Sequence, residues 1–392
     1  MPRRTCVPAA WLSLAAAAAA LAACAAADEP PPLRERVEVR SATGPRTLEG
    51  TLVVEAQDGG LLLELADQRY ELLQPDQIVA RRRGDAAEPA ETPREFGRRI
   101  LGELPAGFDV HVTKHYVVCF DTSREYAVWC AALFERLSDT FVTYWTNAGL
   151  DIRRPDRPLV VVIFADRRAY EAFAARDLGA AADRVVGYYN LLSNRVTTFD
   201  LTGSDSLPRP AGRRPGRAGL EILASPEAAG LVATLVHEAT HQMAFNTGMH
   251  RRLAPVPLWV SEGIATCFET PDLAHARGWK GIGGVNTARL DRFLQGSRPG
   301  GLREIVAGDE PFRRAADGLD AYARAWALTH FLMKTKRDAF AGYLRTIAAK
   351  QPCGADSPEQ RLAEFAAAFG ATPDALEPEV QRMMARLHAR RP

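Results

Sequence analysis

The stretch Leu235-Val236-His237-Glu238-Ala239-Thr240-His241-Gln242 constrains the chain more than any other, because its chemistry requires a helix. On an α-helix, side chains four apart lie on one face, so His237 and His241 can aim imidazole nitrogens at a single cation. Glu238, one step round, can then take the proton of a water held at an open coordination position. With 8 histidines in 392 residues, two at this spacing with a glutamate between them are an uncommon coincidence, although ordinary core or surface histidines are the plain alternative. The flanks suit a helix. Ser225 is a good N-cap, Pro226 fits the first helical position and Glu227 the positive end, which predicts a start there. Val232, Leu235, Val236, Ala239 and Met243 recur at helical spacing and would face a core, turning the histidines toward an open cleft.

A catalytic site of this type needs a third protein ligand, and Glu262 supplies a candidate 21 positions after His241. The first helix is expected to end near Asn246 and Gly248, with Pro255 and Pro257 reversing the chain into a second helix that returns alongside the first. Two imidazoles, one carboxylate and an open position match the usual catalytic set of Zn2+.

Together with the pentad, Trp259, Glu262, Gly263 and Ala265 resemble the gluzincin metallopeptidases. The looser likeness runs from about residue 108 to the end, and is similar to an uncharacterised group of exported bacterial lipoproteins of the peptidase MA type. The resemblance implies an α+β, zincin-like domain and zinc-dependent hydrolysis of peptide bonds, with Glu238 as the base. It implies that residues 196–199 form an exposed sheet edge to which an extended substrate adds. It also implies a Tyr or His that stabilises the oxyanion, for which Tyr322 is the candidate and His330 the reserve; both are also plausible packing residues. Many gluzincins place an Asp four residues after the third ligand to orient a ligand histidine. Thr266 stands there, so Glu269 is the expected substitute, its alternative being an exposed glutamate at a helix end.

The N-terminus reads as an export signal. Arg3 and Arg4 precede an apolar, Ala-rich run over residues 7–23, too short and weakly hydrophobic for a membrane span. Leu21-Ala22-Ala23-Cys24 resembles a lipobox, which makes residues 1–27 a lipoprotein signal, Cys24 the lipidated residue and a lipid anchor the link to a membrane. Ordinary cleavage after residues 25–27 is the rival. Either places the protein outside the cytoplasm, periplasmic or at the cell surface. Cys119, Cys130, Cys267 and Cys353 would then meet an oxidising compartment, where two bridges with three pairings, or simply buried thiols, are open.

Residues 33–82 read as a small all-β barrel or SH3-like module of five short strands, with Asp58-Gly59-Gly60 as a hairpin turn. No site residues stand out in it, which favours a spacer or docking role. Residues 83–95, following a run of arginines, are expected to link it to a catalytic domain over residues 96–392. There the pattern predicts strands at 109–112, 116–120 and 159–164, helices at 123–145 and 167–175, and a hairpin of 185–189 with 195–200. His111 and His115 are four apart but in strand-like surroundings, so they read as structural.

Residues 201–223 are rich in Gly, Pro, Ser and Arg. They read as a loop beside the cleft whose Arg209, Arg213, Arg214 and Arg217 are a solvated run or a contact for acidic substrate. Beyond Glu269 helices are expected at 287–293, 321–333, 338–349, 358–369 and 373–387. A net charge of +1 gives no electrostatic reason to expect nucleic acid or an anionic membrane surface. A peptide or protein is the implied substrate and the oligomeric state is open. Two other classes fit the same residues: a non-catalytic lipoprotein stabilised by its metal, and a zinc hydrolase acting on a non-protein amide such as a wall polymer.

Overall fold

Val37 and Val39 alternate with charged residues, so β1 (Arg34–Ser41) buries one face only. It is the fourth member of a five-stranded antiparallel sheet with β2 (Gly44–Glu55), β3 (Leu61–Leu65), β4 (Tyr70–Leu73) and β5 (Ile78–Arg83), in the order β4-β3-β2-β1-β5. Its small core is Val37, Val39, Leu61, Leu63, Leu65 and Leu73. The computed structural model describes residues 34–41, 44–83, 91–203, 223, 225, 228–270, 282–314 and 316–391. The signal with Cys24, Pro226 and Glu227, and the loop arginines 209, 213, 214 and 217 lie outside the described residues.

Asp58-Gly59-Gly60 does turn the chain: Gly59 adopts φ +90° and Gly60 N–H donates to Asp58 Oδ1 at 2.9 Å. The barrel does not close, however. β4 and β5 are the two ends of the sheet, and the outer edge of β4 is occupied, since Tyr70 N–H donates to Leu192 O at 2.7 Å. Arg81 to Arg83 belong to β5, where Arg81 forks onto buried Glu35 with two bonds of 3.0 Å.

The second sheet contains β6 (Asp109–Val112), β7 (Tyr116–Phe120), β8 (Leu159–Phe164), β9 (Gly187–Asn190) and β10 (Arg195–Phe199), ordered β6-β7-β8-β10-β9. β8, an unbroken apolar run, is buried along its length between two parallel neighbours. The expected edge at residues 196–199 is therefore interior. α3 (Arg167–Leu178) lies on the crossover that brings β10 parallel to β8, which leaves its hairpin partner β9 outside as the edge strand.

α1 (Pro93–Leu101) begins three residues before the expected domain start because Thr92 and Glu95 form a capping box. α2 (Arg124–Asn147) matches expectation. α4 (Ala229–Asn246) starts later than Ser225, at an N-cap without a side-chain bond. α5 (Leu258–Phe268) follows the proline turn. The helical half comprises α6 (Thr287–Gln295), α7 (Gly301–Ala307), α8 (Glu310–Arg313), α9 (Gly318–Thr335), α10 (Arg337–Ala348), α11 (Pro358–Phe369) and α12 (Pro373–Ala389). α7 and α8 escaped the sequence reading because seven and four residues are too few to show a helical period. Among the described residues no helix is long and apolar enough to cross a membrane.

The β module is docked on the α/β half rather than held off it. Arg252, on the turn between α4 and α5, stacks 3.7 Å from the Tyr70 ring centroid and donates to Gln68 O, Leu191 O and Glu64 Oε1. Asn194 donates to Gln68 Oε1 at 3.1 Å, and Arg195 reaches Asp67. These contacts tie the module to the β9–β10 turn and to the turn between the two central helices.

The four described cysteines carry free thiols, with Cys119, Cys130 and Cys267 buried. Neither of the two contemplated bridges forms: the thiols lie on β7, α2, α5 and the segment after α10. Burial pushes the Cys119 thiol up to about 12, and Cys119, Cys130 and Cys267 are packing residues.

Candidate metal centre

α4 is buried nearly all round from Leu235 to Phe245, because it is wedged between the second sheet, α2 and α5. Gln242 fixes it to the sheet, donating to Val160 O at 3.0 Å and Asn194 O at 2.9 Å. The core face of Val232, Leu235, Val236, Ala239 and Met243 is as expected, but the histidine face is covered too: His237 is 1% and His241 3% exposed. The site is thus enclosed among packed helices rather than open to the surface.

α5 runs back along α4 and brings Glu262 to the two rings. His237 Nε2 lies 3.1 Å and His241 Nε2 3.5 Å from Glu262 Oε2, and the two Nε2 atoms are 3.0 Å apart. Ligands at about 2.0–2.2 Å from a tetrahedral cation would lie roughly 3.3–3.6 Å from one another, so this triangle is within a few tenths of an ångström of the size a metal ion needs. His237, His241 and Glu262 are the one group with such convergence among the described residues. Glu262 Oε1 and Glu238 Oε1 are buried with no hydrogen-bond partner, a costly state that a cation and its remaining ligand would relieve. The residues present therefore fit a bound metal ion.

Each ligand ring is steadied from behind. With Nε2 facing the centre, His237 Nδ1–H donates to Glu269 Oε1 at 2.9 Å and His241 Nδ1–H to Ser261 Oγ at 3.2 Å. Thr266, at the place many gluzincins give to Asp, turns its hydroxyl back onto Glu262 O and Gly263 O; Glu269 does the orienting. Glu269 is in turn gripped by Asn286 and Arg289 at the start of α6. Ser261, Asn286 and Arg289 were invisible to the sequence reading, since only the packing of α4, α5 and α6 brings them near the histidines.

Charge follows burial and these partners. Burial alone would depress the His237 imidazole, but the carboxylates of Glu262 and Glu269 outweigh it and raise it to about 10. Burial pushes Glu262 and Glu269 up; His241 and His237 for the first, Arg289 and His237 for the second, bring each down to about 2. Two carboxylates therefore face His237, and the centre favours a positive charge, proton or metal. Glu238 is different. Its Oε2 accepts Tyr189 N–H from edge strand β9 at 2.8 Å, and burial raises its pKa, opposed by the two histidines.

Tyr322, on α9, is buried beside the centre, with Arg289 5.5 Å over its ring. Burial, then the Glu262 charge, holds its phenol well above the usual range, so it remains an O–H donor. His330 stands eight residues further on the same helix, about 12 Å along the axis, packed 5.3 Å from Trp326; it belongs to the core. His115 is tied to Glu135 at 2.6 Å, and His111 lies on β6; the β6–β7 hairpin rather than a helical face carries both.

α5 meets α9 at close quarters. A Cβ on Gly263 would sit 2.1 Å from Thr329 Oγ1 and 2.8 Å from Ala325 O, which explains the glycine beside Glu262. No curated protein matches the chain. Residues 231–354 match a family model described as a protein of unknown function (DUF1570), a segment that contains His237, Glu238, His241, Glu262, Glu269, Arg289 and Tyr322.

Proposed function

We propose that the chain is an exported, zinc-dependent metallopeptidase of gluzincin type. The observation that carries the reading is the convergence of His237, His241 and Glu262 on one point, with the unpartnered Oε1 of Glu238 beside it. A purely structural metal site closes its coordination sphere and has no need of a spare carboxylate. A zinc ion at this position would supply Lewis-acid polarisation of a carbonyl and a more acidic water.

The chain's own residues would do the rest. Glu238, held by the Tyr189 amide through one oxygen, has the other free to take a proton from the attacking water and return it to the leaving amine. Its raised pKa suits both halves of that exchange. Tyr322 would donate its O–H to the negative oxygen of the tetrahedral intermediate. An extended substrate would pair with β9, now the sheet edge. Export and a lipid anchor rest on residues 1–27 and Cys24 of the sequence. The enclosure of the centre favours one rival, a non-catalytic protein stabilised by its metal.

Metal content of the purified protein, compared with His237→Ala, tests the first step: wild type should carry close to one zinc per chain and the variant almost none. Cleavage of a peptide library with and without chelator tests the second. Glu238→Gln should keep its metal while turnover falls by about a hundredfold to ten-thousandfold. A variant that still cleaves normally removes Glu238 as base; a wild type that holds zinc but cleaves nothing favours the metal-stabilised alternative.

A further inference from the structure

Between the C-terminal turns of α9 and the outer side of α12 lies a cavity of about 410 Å³, within the roughly 300–1,000 Å³ usual for small-molecule sites. Its lining is of two kinds. Phe331, Met383 and Leu387 make an apolar wall, while Arg382 and Arg386 on α12 and Arg390 at its C-cap follow one another at intervals of four residues. Glu379 is the one acid among the lining residues. Many other arginines of this protein are paired, including Arg289, Arg292, Arg303, Arg361 and Arg391; the three that line this cavity have no carboxylate partner among the described residues.

Like charges one turn apart on a helix repel each other. The helix dipole accounts for basic residues in the last turn, where Arg386 lies, but its influence fades before reaching Arg382. A row of three guanidinium groups beside an apolar wall therefore calls for a ligand that is anionic at one end and apolar at the other.

We propose that this cavity binds an anionic amphiphile, an acyl chain carrying a phosphate or carboxylate head. The guanidinium row takes the head, and the acyl chain lies against Phe331, Met383 and Leu387. The chemistry is the same whether the molecule is free in solution or an anionic lipid of a bilayer, and the site shares no residue with the metal centre.

The test uses the full chain carrying Cys24→Ser, so that no acyl anchor binds vesicles by itself, and two probes, dodecyl phosphate below its micelle concentration and vesicles containing phosphatidylglycerol, with inorganic phosphate and dodecyl maltoside as comparators. Calorimetry with dodecyl phosphate should show saturable binding, weakened about tenfold or more by Arg382→Ala/Arg386→Ala. Inorganic phosphate and the neutral maltoside should each bind at least about tenfold more weakly, because each lacks one of the two features. Binding to vesicles alone, lost in the double variant, would also support the site and identify the bilayer as the source. Both arginines are exposed, and a circular dichroism melt checks that the variant is folded. The proposal is overturned if neither probe binds, if the double variant binds like wild type, or if phosphate or maltoside alone binds as tightly as the amphiphile.

Discussion

Glu269 Oε1 lies 2.9 Å from His237 Nδ1, and that one contact joins the end of α5 to the outer nitrogen of a candidate ligand on α4. The carboxylate selects the tautomer that aims Nε2 at Glu262 and makes the ring a stronger donor. Glu269→Ala should weaken metal binding about a hundredfold, and Glu269→Gln, which keeps an acceptor but loses the charge, about tenfold. Arg289→Ala should fall between wild type and Glu269→Ala, since Asn286 still holds the carboxylate. Competition with a chromogenic chelator measures all three, and an unchanged affinity in Glu269→Ala would remove the orienting role.

Gly263 is where α5 and α9 touch. Gly263→Ala drives a methyl group into Thr329 Oγ1 and should cost about 1–3 kcal/mol through overpacking, read from urea midpoints. Adding Thr329→Ala should recover part of the loss. That hydroxyl is buried without a partner, so removing it forfeits no hydrogen bond and relieves the shortest contact, while Ala325 O at 2.8 Å and the Cβ of residue 329 at 3.0 Å still crowd the new methyl group.

Arg252 holds the β module against the turns around the centre. Arg252→Ala removes three hydrogen bonds and the stacking on Tyr70. The loss should be about 2–3 kcal/mol, discounted because the Glu64 partner is partly exposed. The module should then become the first part cut by protease. A cleavage pattern identical to wild type would show that the dock survives without this guanidinium.

Two histidines outside the centre set the acid side of stability. Burial holds His250 down at about 3, and burial with help from Lys334 holds His330 at about 4, both from an ordinary 6.5. Below about pH 6.5 the unfolded chain takes up protons that the folded chain refuses. Stability from these residues is therefore complete above pH 7 and is lost as pH falls toward 4, by up to about 1.4 kcal/mol per pH unit for each histidine. Urea midpoints between pH 7.5 and 5 should show this slope, and His330→Phe should flatten it. Equal slopes would assign the acid sensitivity elsewhere.

The convergence of two histidines and a glutamate was legible in the sequence because helical geometry is local. Four residues make one turn, so His237 and His241 share a face wherever their helix lies, and a proline turn of the right length brings Glu262 back to them. The same locality explains why β8, α11 and the other long periodic segments fall where the residue pattern puts them, while the short α7 and α8 do not announce themselves.

What the tertiary structure alone decided is whatever depends on neighbours far apart in the chain. β9 rather than β10 became the sheet edge because a parallel crossover claimed the β8 side. The β module stayed an open sheet because β4 meets Leu192 instead of β5. Glu269, Ser261, Asn286 and Arg289 support the histidines, and the histidine face is enclosed, because three helices converge there. Hydrogen bonds and desolvation act over a few ångströms in space without regard to distance along the chain, and a one-dimensional pattern records only the contacts that are near in both.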